Sequence, residues 1–229
     1  MKFDYTYVPF GSFLVFEPLI IVSNFIMLVL ALVFFVRLRR ANTLYARKMG
    51  TFMLMLGISG VFGAVCHSVH YQMGEDFFGL MFFLMNAFSL LSIFFCFWGT
   101  FIHAALHRRV AQGAIWLAVV WVGTLLVYSY VKGHFLLIKI HAGIVLLYTL
   151  YVHWRAYRRA AERGSLLIVW GIAASFISII VHSAHISLHE WFNYKDLAHL
   201  FMIVALIVIY KGVKLNSGEH TEAAGTVIS

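Results

Sequence analysis

Residues 17–40 read EPLIIVSNFIMLVLALVFFVRLRR, and this stretch decides the fold. From Pro18 to Val36 no residue is charged; Glu17 stands at one end, and Arg37, Arg39 and Arg40 stand at the other. The hydrocarbon core of a bilayer is about 30 Å thick and takes about 20 apolar residues as an α-helix. In lipid the backbone can satisfy its N–H and C=O groups only internally, so such a run is a helix rather than a loop or an open strand. The arginines that close it have stems long enough to carry their charges to the interface.

Six further runs of the same kind follow. Helices are expected over 17–36, 51–72, 77–106, 114–131, 135–154, 166–188 and 196–211, joined by short polar connections. The chain therefore reads as an all-α membrane protein, one seven-transmembrane-helix domain over 1–215, with a disordered tail over 216–229 whose Gly, Ser, Glu and Thr favour disorder. Composition agrees: 62% of the residues are hydrophobic and 11% charged, against about 45–50% and about 25% in soluble domains. The period-two alternation of a membrane barrel is absent. Before Glu17 there is no apolar segment with a small-residue cleavage site, so the first run is expected to stay as a helix.

The basic residues give the expected orientation. Arg37, Arg39, Arg40, Arg47 and Lys48 follow the first helix, Arg108 and Arg109 the third, Arg155, Arg158, Arg159 and Arg163 the fifth, and Lys211 and Lys214 the seventh, thirteen of the 17 lysines and arginines. By the positive-inside rule this side is cytoplasmic, which puts the N-terminus outside and the C-terminus inside; a bacterial inner membrane is the expected location. The net charge of +8 is thus a topology signal and not a nucleic-acid surface. Cys66 and Cys96 both lie inside apolar runs and read as packing residues, not as a disulfide framework.

Ionisable residues at membrane depth are costly and mark function when they converge. Here they gather toward one side: Glu17 opens helix one, His67 and His70 close helix two, Asp76 opens helix three, His134 and His141 begin helix five, His182, His185 and His189 end helix six, and Asp196 and His199 open helix seven. Pairs three or four apart share a helix face: His67 with His70, His182 with His185, Asp196 with His199. Imidazole and carboxylate in this combination suit zinc or non-haem iron. The expected metal set is His67, His185, Asp196 and His199, with His70 and His182 as reserves. Asp76 and Asp196 are the expected catalytic carboxylates, orienting a water or moving a proton. Metal-bound hydroxide in an apolar pocket would attack a lipid amide or ester. His103, His107 and His153, beside arginine-rich loops, read as ordinary hydrogen-bonding residues near the interface.

Several short motifs carry a family likeness. Glu17-Pro18 with Ser23-Asn24-Phe25-Ile26-Met27 resembles the first helix of alkaline ceramidases, while His67, Asp76 and the Asp196-Leu-Ala-His199 start of helix seven resemble the metal positions of the wider CREST superfamily. That group includes alkaline ceramidases, progestin and adipoQ receptors and lipases that remodel GPI anchors. The last helix, with Asn193, Asp196, His199 and Tyr210-Lys211-Gly212, also resembles that of some bacterial seven-helix proteins. The resemblance implies seven helices, zinc held by helix-two, helix-three and helix-seven residues, and hydrolysis of lipid amides. Two positions depart from it: Gly63 stands where the family has a serine four residues before His67, and Lys195 stands where it has a histidine four residues before His199.

The leading expectation is a metal-dependent intramembrane hydrolase with membrane lipid as solvent and substrate. Two others come from the same residues. Two histidines from different helices, such as His67 with His141 or His182, could hold a b-type haem. Alternatively the polar cluster is a hydrogen-bonded network in a non-catalytic receptor or subunit.

Overall fold

The computed structural model describes residues 6–226 except Ser12, His70, Tyr71, Met73, Leu106, His107, His134 and Phe135, with backbone alone for Phe10, Phe13, Arg108 and 219–226. Two short antiparallel strands, β1 (Tyr7–Phe10) and β2 (Phe13–Phe16), precede seven helices: α1 (Pro18–Arg39), α2 (Leu44–Val69), α3 (Glu75–His103), α4 (Arg108–Lys132), α5 (Leu136–Ala160), α6 (Arg163–Ser183) and α7 (Tyr194–Thr226). All seven are long and apolar enough to cross a membrane. The shortest, α6, has 21 residues, or about 32 Å at 1.5 Å per residue, still enough for the hydrocarbon core.

Successive helices run in opposite directions, so the bundle has two ends. The hairpin end carries β1 and β2, the start of α1, the close of α2 and α6 and the start of α7. The arginine-rich end carries the opposite termini. The apolar surface left at the periphery is large: Trp116 and Leu117 of α4 are 70% and 73% exposed, an arrangement that only lipid or another apolar partner makes favourable. Inside, Met27 of α1, Met53 of α2, Leu146 of α5, Ile172 of α6 and Leu206 of α7 belong to one core. Helices α6 and α7 approach almost backbone to backbone. A Cβ on Gly212 would sit 2.5 Å from the Gly164 carbonyl oxygen, so glycine is required where the two helices meet.

Two helices stop short of the expected runs, α3 at His103 rather than 106 and α6 at Ser183 rather than 188, while others run past them at the arginine-rich side. Helix α2 begins at Leu44 and takes in Arg47 and Lys48, α4 begins at Arg108, and α5 continues through Arg155, Arg158 and Arg159 to Ala160. Hydrophobicity marks only the part of a helix that lies in lipid; Lys and Arg are good helix formers and extend it into the interface. The tail from Asn216, expected to be disordered, is helical to Thr226. Its first residues are anchored: the Asn216 Nδ2 donates to Ser165 Oγ at 3.1 Å, and both Asn216 and Ser217 are buried.

The hairpin has no counterpart in the sequence reading. Gly11, at φ 63°, opens its turn, a conformation glycine takes without the Cβ penalty. Gln72, just past α2, donates through its side chain to the Leu14 carbonyl and ties the hairpin to the bundle. Glu17 then turns the chain into α1 with a left-handed φ of 49°, and its N–H donates to the Thr6 carbonyl at 2.9 Å. A non-glycine residue held in this region is strained, and here the strain aims a carboxylate into the bundle.

Candidate functional site

Helix α7 starts with a reciprocal cap. Asn193 Oδ1 accepts the Lys195 N–H at 2.8 Å, and Asp196 Oδ2 accepts the Asn193 N–H at 3.0 Å. The Asn-Tyr-Lys-Asp sequence thus forms a capping box that satisfies orphan donors of the first turn. This fixes three side chains at the hairpin end: Asn193, Lys195 and Asp196. One carboxylate oxygen of Asp196 is used in the cap. The other, Oδ1, is buried and makes no hydrogen bond.

Lys195 reaches α1. Its Nζ donates to both carboxylate oxygens of Glu17 at 2.7 Å, and Asn193 Nδ2 donates to Glu17 Oε1 at 3.1 Å. From α2, His67 Nδ1 lies 3.6 Å from Glu17 Oε2. Glu17 is 4% and Lys195 8% exposed, so both charges are withdrawn from solvent and neutralise each other.

One helical turn further along α7, His199 meets α1 again. Its Nδ1 lies 2.9 Å from Ser23 Oγ and 3.2 Å from Asn24 Nδ2. The tautomer follows from the donors. Asn24 Nδ2 also donates to the Ile20 carbonyl at 2.8 Å, which fixes the amide orientation, because a flipped amide would set oxygen against oxygen. An N–H therefore faces His199 Nδ1 and favours a lone pair there, toward which the Ser23 hydroxyl can turn from its other acceptor, the Ile20 carbonyl at 3.1 Å. In neutral His199 the proton is on Nε2.

The structure brings together His67, Asp196 and His199 of the expected metal set at one end of the bundle. His185 is exposed at φ 53°, past the end of α6, where Ile186 N–H donates back to the Val181 carbonyl at 3.1 Å. This is the left-handed closing residue of a helix C-terminus, and its ring packs on Tyr194 at 4.5 Å rather than joining the Glu17 network. His182 stands edge-on to the same Tyr194 at 5.3 Å. Asp76 is exposed in the first turn of α3, where its charge complements the helix N-terminus. His70 lies outside the described residues. Of the haem candidates, His141 has a buried Nε2 with no hydrogen bond.

The candidate ligands at this end are engaged within the chain. Glu17 accepts from Lys195 and Asn193, Asp196 has committed one oxygen to the cap, and His199 Nδ1 faces Ser23 and Asn24. Among the described residues no three of His, Cys, Asp and Glu are grouped to hold a metal ion. Lys195 supplies a buried cation at this end, a role that sequence spacing alone does not suggest.

A second buried polar cluster lies at the arginine-rich end. His153 of α5, 0% exposed, has Nδ1 2.9 Å from Ser165 Oγ of α6. Ser165 Oγ donates to Glu162 Oε2 at 2.8 Å, and His103 Nε2 of α3 lies 3.2 Å from the same oxygen. The two imidazoles stack with centroids 4.4 Å apart. The sequence reads His103 and His153 as ordinary hydrogen-bonding residues near the interface; in the fold α2, α3, α5, α6 and α7 all contribute to the cluster that holds them.

The chain belongs to a family of unknown function (DUF6962), whose model matches residues 19–217. That range holds all seven membrane-spanning segments almost entire, with Ser23, His67, His153, Lys195 and His199. No curated protein and no solved structure matches the chain.

Proposed function

We propose that this family member is a membrane-embedded hydrolase of a lipid amide or ester, working at its hairpin end through Ser23 and His199. The observation that carries the reading is the 2.9 Å contact between Ser23 Oγ and His199 Nδ1, whose lone pair the Asn24 amide maintains. A hydroxyl beside a basic imidazole, itself oriented by a third group, is the arrangement of an activated nucleophile. The resemblance to alkaline ceramidases supports a lipid amide as the substrate class, and the arginine distribution supports an outward-facing hairpin end.

The chemistry runs on the chain's own groups. Ser23 Oγ attacks the substrate carbonyl as its proton passes to His199 Nδ1, and the Asn24 amide gives up its contact with that nitrogen as the imidazolium forms. The imidazolium then gives that proton to the leaving amine or alcohol, and water, deprotonated by the same nitrogen, cleaves the acyl-serine. The Lys195–Glu17 pair ties α7 to α1 and so holds His199 against Ser23. The unpartnered Asp196 Oδ1, one turn from His199, favours the imidazolium by its charge.

The test is turnover by purified protein in lipid nanodiscs on a panel of ceramides, N-acyl lipids and esters, with and without a zinc chelator. Hydrolysis that persists in chelator and falls by about a thousandfold in Ser23→Ala supports the reading. Hydrolysis lost to chelator, restored by zinc and retained in Ser23→Ala would return the reaction to the metal-dependent expectation. A second reading, a non-catalytic subunit, is favoured by the Glu17–Lys195 pair, which ties α1 to α7 as a clamp would. It predicts no turnover on any lipid.

A further inference from the structure

The hydroxyl of Ser165 is fully subscribed, and its bookkeeping dictates the state of its neighbours. It has one proton, which goes to the Glu162 carboxylate at 2.8 Å, because a carboxylate only accepts. Its two lone pairs are taken by Asn216 Nδ2 at 3.1 Å and by His153 Nδ1 at 2.9 Å. His103 Nε2, at 3.3 Å from the serine and 3.2 Å from Glu162 Oε2, then donates to the carboxylate. His153 must therefore carry its proton on Nδ1, and its Nε2 is a bare lone pair. That Nε2 is buried and has no hydrogen-bond partner. A basic nitrogen left open in the interior, wired at its other side to a carboxylate that is 24% exposed, is a way for a proton to pass between the bundle interior and the aqueous surface.

We propose that the arginine-rich end holds a proton-relay site, in which His153, Ser165 and Glu162 exchange a proton between the buried His153 Nε2 and solvent. When a proton binds Nε2, the Nδ1 proton moves to Ser165 Oγ as the Ser165 proton moves to Glu162 Oε2. One proton enters and one is left on the carboxylate for release to water; when Glu162 takes a proton from water, the reverse shift returns the proton to Nδ1 as Nε2 releases its own, which restores the starting state. The groups facing His153 are His103 from α3, Tyr45 from α2, Glu162 and Ser165 at the start of α6 and the neutral Asn216 from α7. Inward from it, Thr149, one turn earlier on α5, shares a 3.0 Å hydroxyl contact with Thr100 of α3, so polar groups continue from the relay toward the middle of the bundle. The stacked His103 ring limits the pair to one positive charge at a time, which favours passing a proton on over storing it.

The site is independent of Ser23 and His199, and its test reads the protons directly. In the full chain with ¹⁵N-labelled histidine in lipid nanodiscs, His153 is expected at neutral pH as the Nδ1–H tautomer with bare Nε2, identified by loss of its signals in His153→Gln. Glu162→Gln keeps both hydrogen bonds but cannot take the proton, so it should retain the tautomer and slow solvent exchange of the His153 Nδ1 proton by about tenfold or more. Ser165→Ala should shift His153 toward the Nε2–H form. An Nε2–H tautomer in the unaltered protein, or exchange unchanged in Glu162→Gln, overturns the proposal; if Ser165→Ala does not fold, Glu162→Gln decides alone.

Discussion

The two ends of the bundle bury polar groups by opposite means. At the hairpin end, full charges face each other: Glu17 and Lys195 at 2.7 Å, both less than a tenth exposed. At the arginine-rich end the buried centre is neutral, a serine hydroxyl shared among His153, Asn216 and Glu162, and the charge sits at the half-exposed rim. A buried ion pair holds position rigidly because separating it exposes two charges to lipid, whereas a neutral network can shift protons without moving atoms far. The first suits holding the proposed Ser23–His199 site in shape. The second suits conduction.

Removing one charge from the hairpin end should have the largest effect. Lys195→Met leaves Glu17 buried without its counter-charge and is expected to cost about 3–5 kcal/mol, read as a lower midpoint in thermal unfolding in detergent. Adding Glu17→Gln should recover much of the loss; no recovery would mean that the pair matters for something other than charge. The matching change at the other end, Ser165→Ala, strands only the neutral His153 and Asn216 donors, each expected at the lower end of about 1–3 kcal/mol, so its loss should be smaller than that of Lys195→Met. If it exceeds that loss, the contrast between a charged and a neutral end fails.

Next in size is a change that touches neither cluster. Gly212→Ala forces a methyl against the Gly164 carbonyl and should cost about 1–3 kcal/mol by overpacking the α6–α7 contact. Both ends should respond together, seen as faster amide exchange at Lys195 and at Ser165, because α7 carries Lys195 at one end and Asn216 at the other. The smallest effects compare two caps. Thr43→Ala removes the acceptor for the Ala46 N–H at the start of α2 and Asn193→Ala removes the α7 cap, each expected to cost about 0.5–2 kcal/mol. Asn193→Ala should be the more costly, since it also takes a donor from Glu17.

Much of this architecture is legible in the sequence. Apolar runs bounded by arginine gave seven helices, because lipid leaves the backbone no alternative, and depth alone gathered Glu17, His67, Asp196 and His199 at one end. The pairing among them was not legible. Helical spacing puts residues on a face but does not say which helix that face meets, so Lys195 read as a departure from a histidine motif rather than as the partner of Glu17. Asn193-x-x-Asp196 does carry a visible cap signal, and attention to it would have assigned one Asp196 oxygen to structure. The arginine-rich cluster stayed hidden for the same reason: His103, His153, Ser165 and Asn216 lie on four helices and share no motif. The hairpin was missed because each strand is four residues long, too short for a periodicity to stand out.

The central claim is that Ser23 is an activated nucleophile at the hairpin end. Treating the protein in nanodiscs with a lipophilic fluorophosphonate and mapping the adduct by peptide mass spectrometry tests it most directly. The account predicts one phosphonyl group, on Ser23, absent in His199→Ala while the unmodified fold persists. Labelling that spares Ser23, or that continues undiminished without His199, would contradict it.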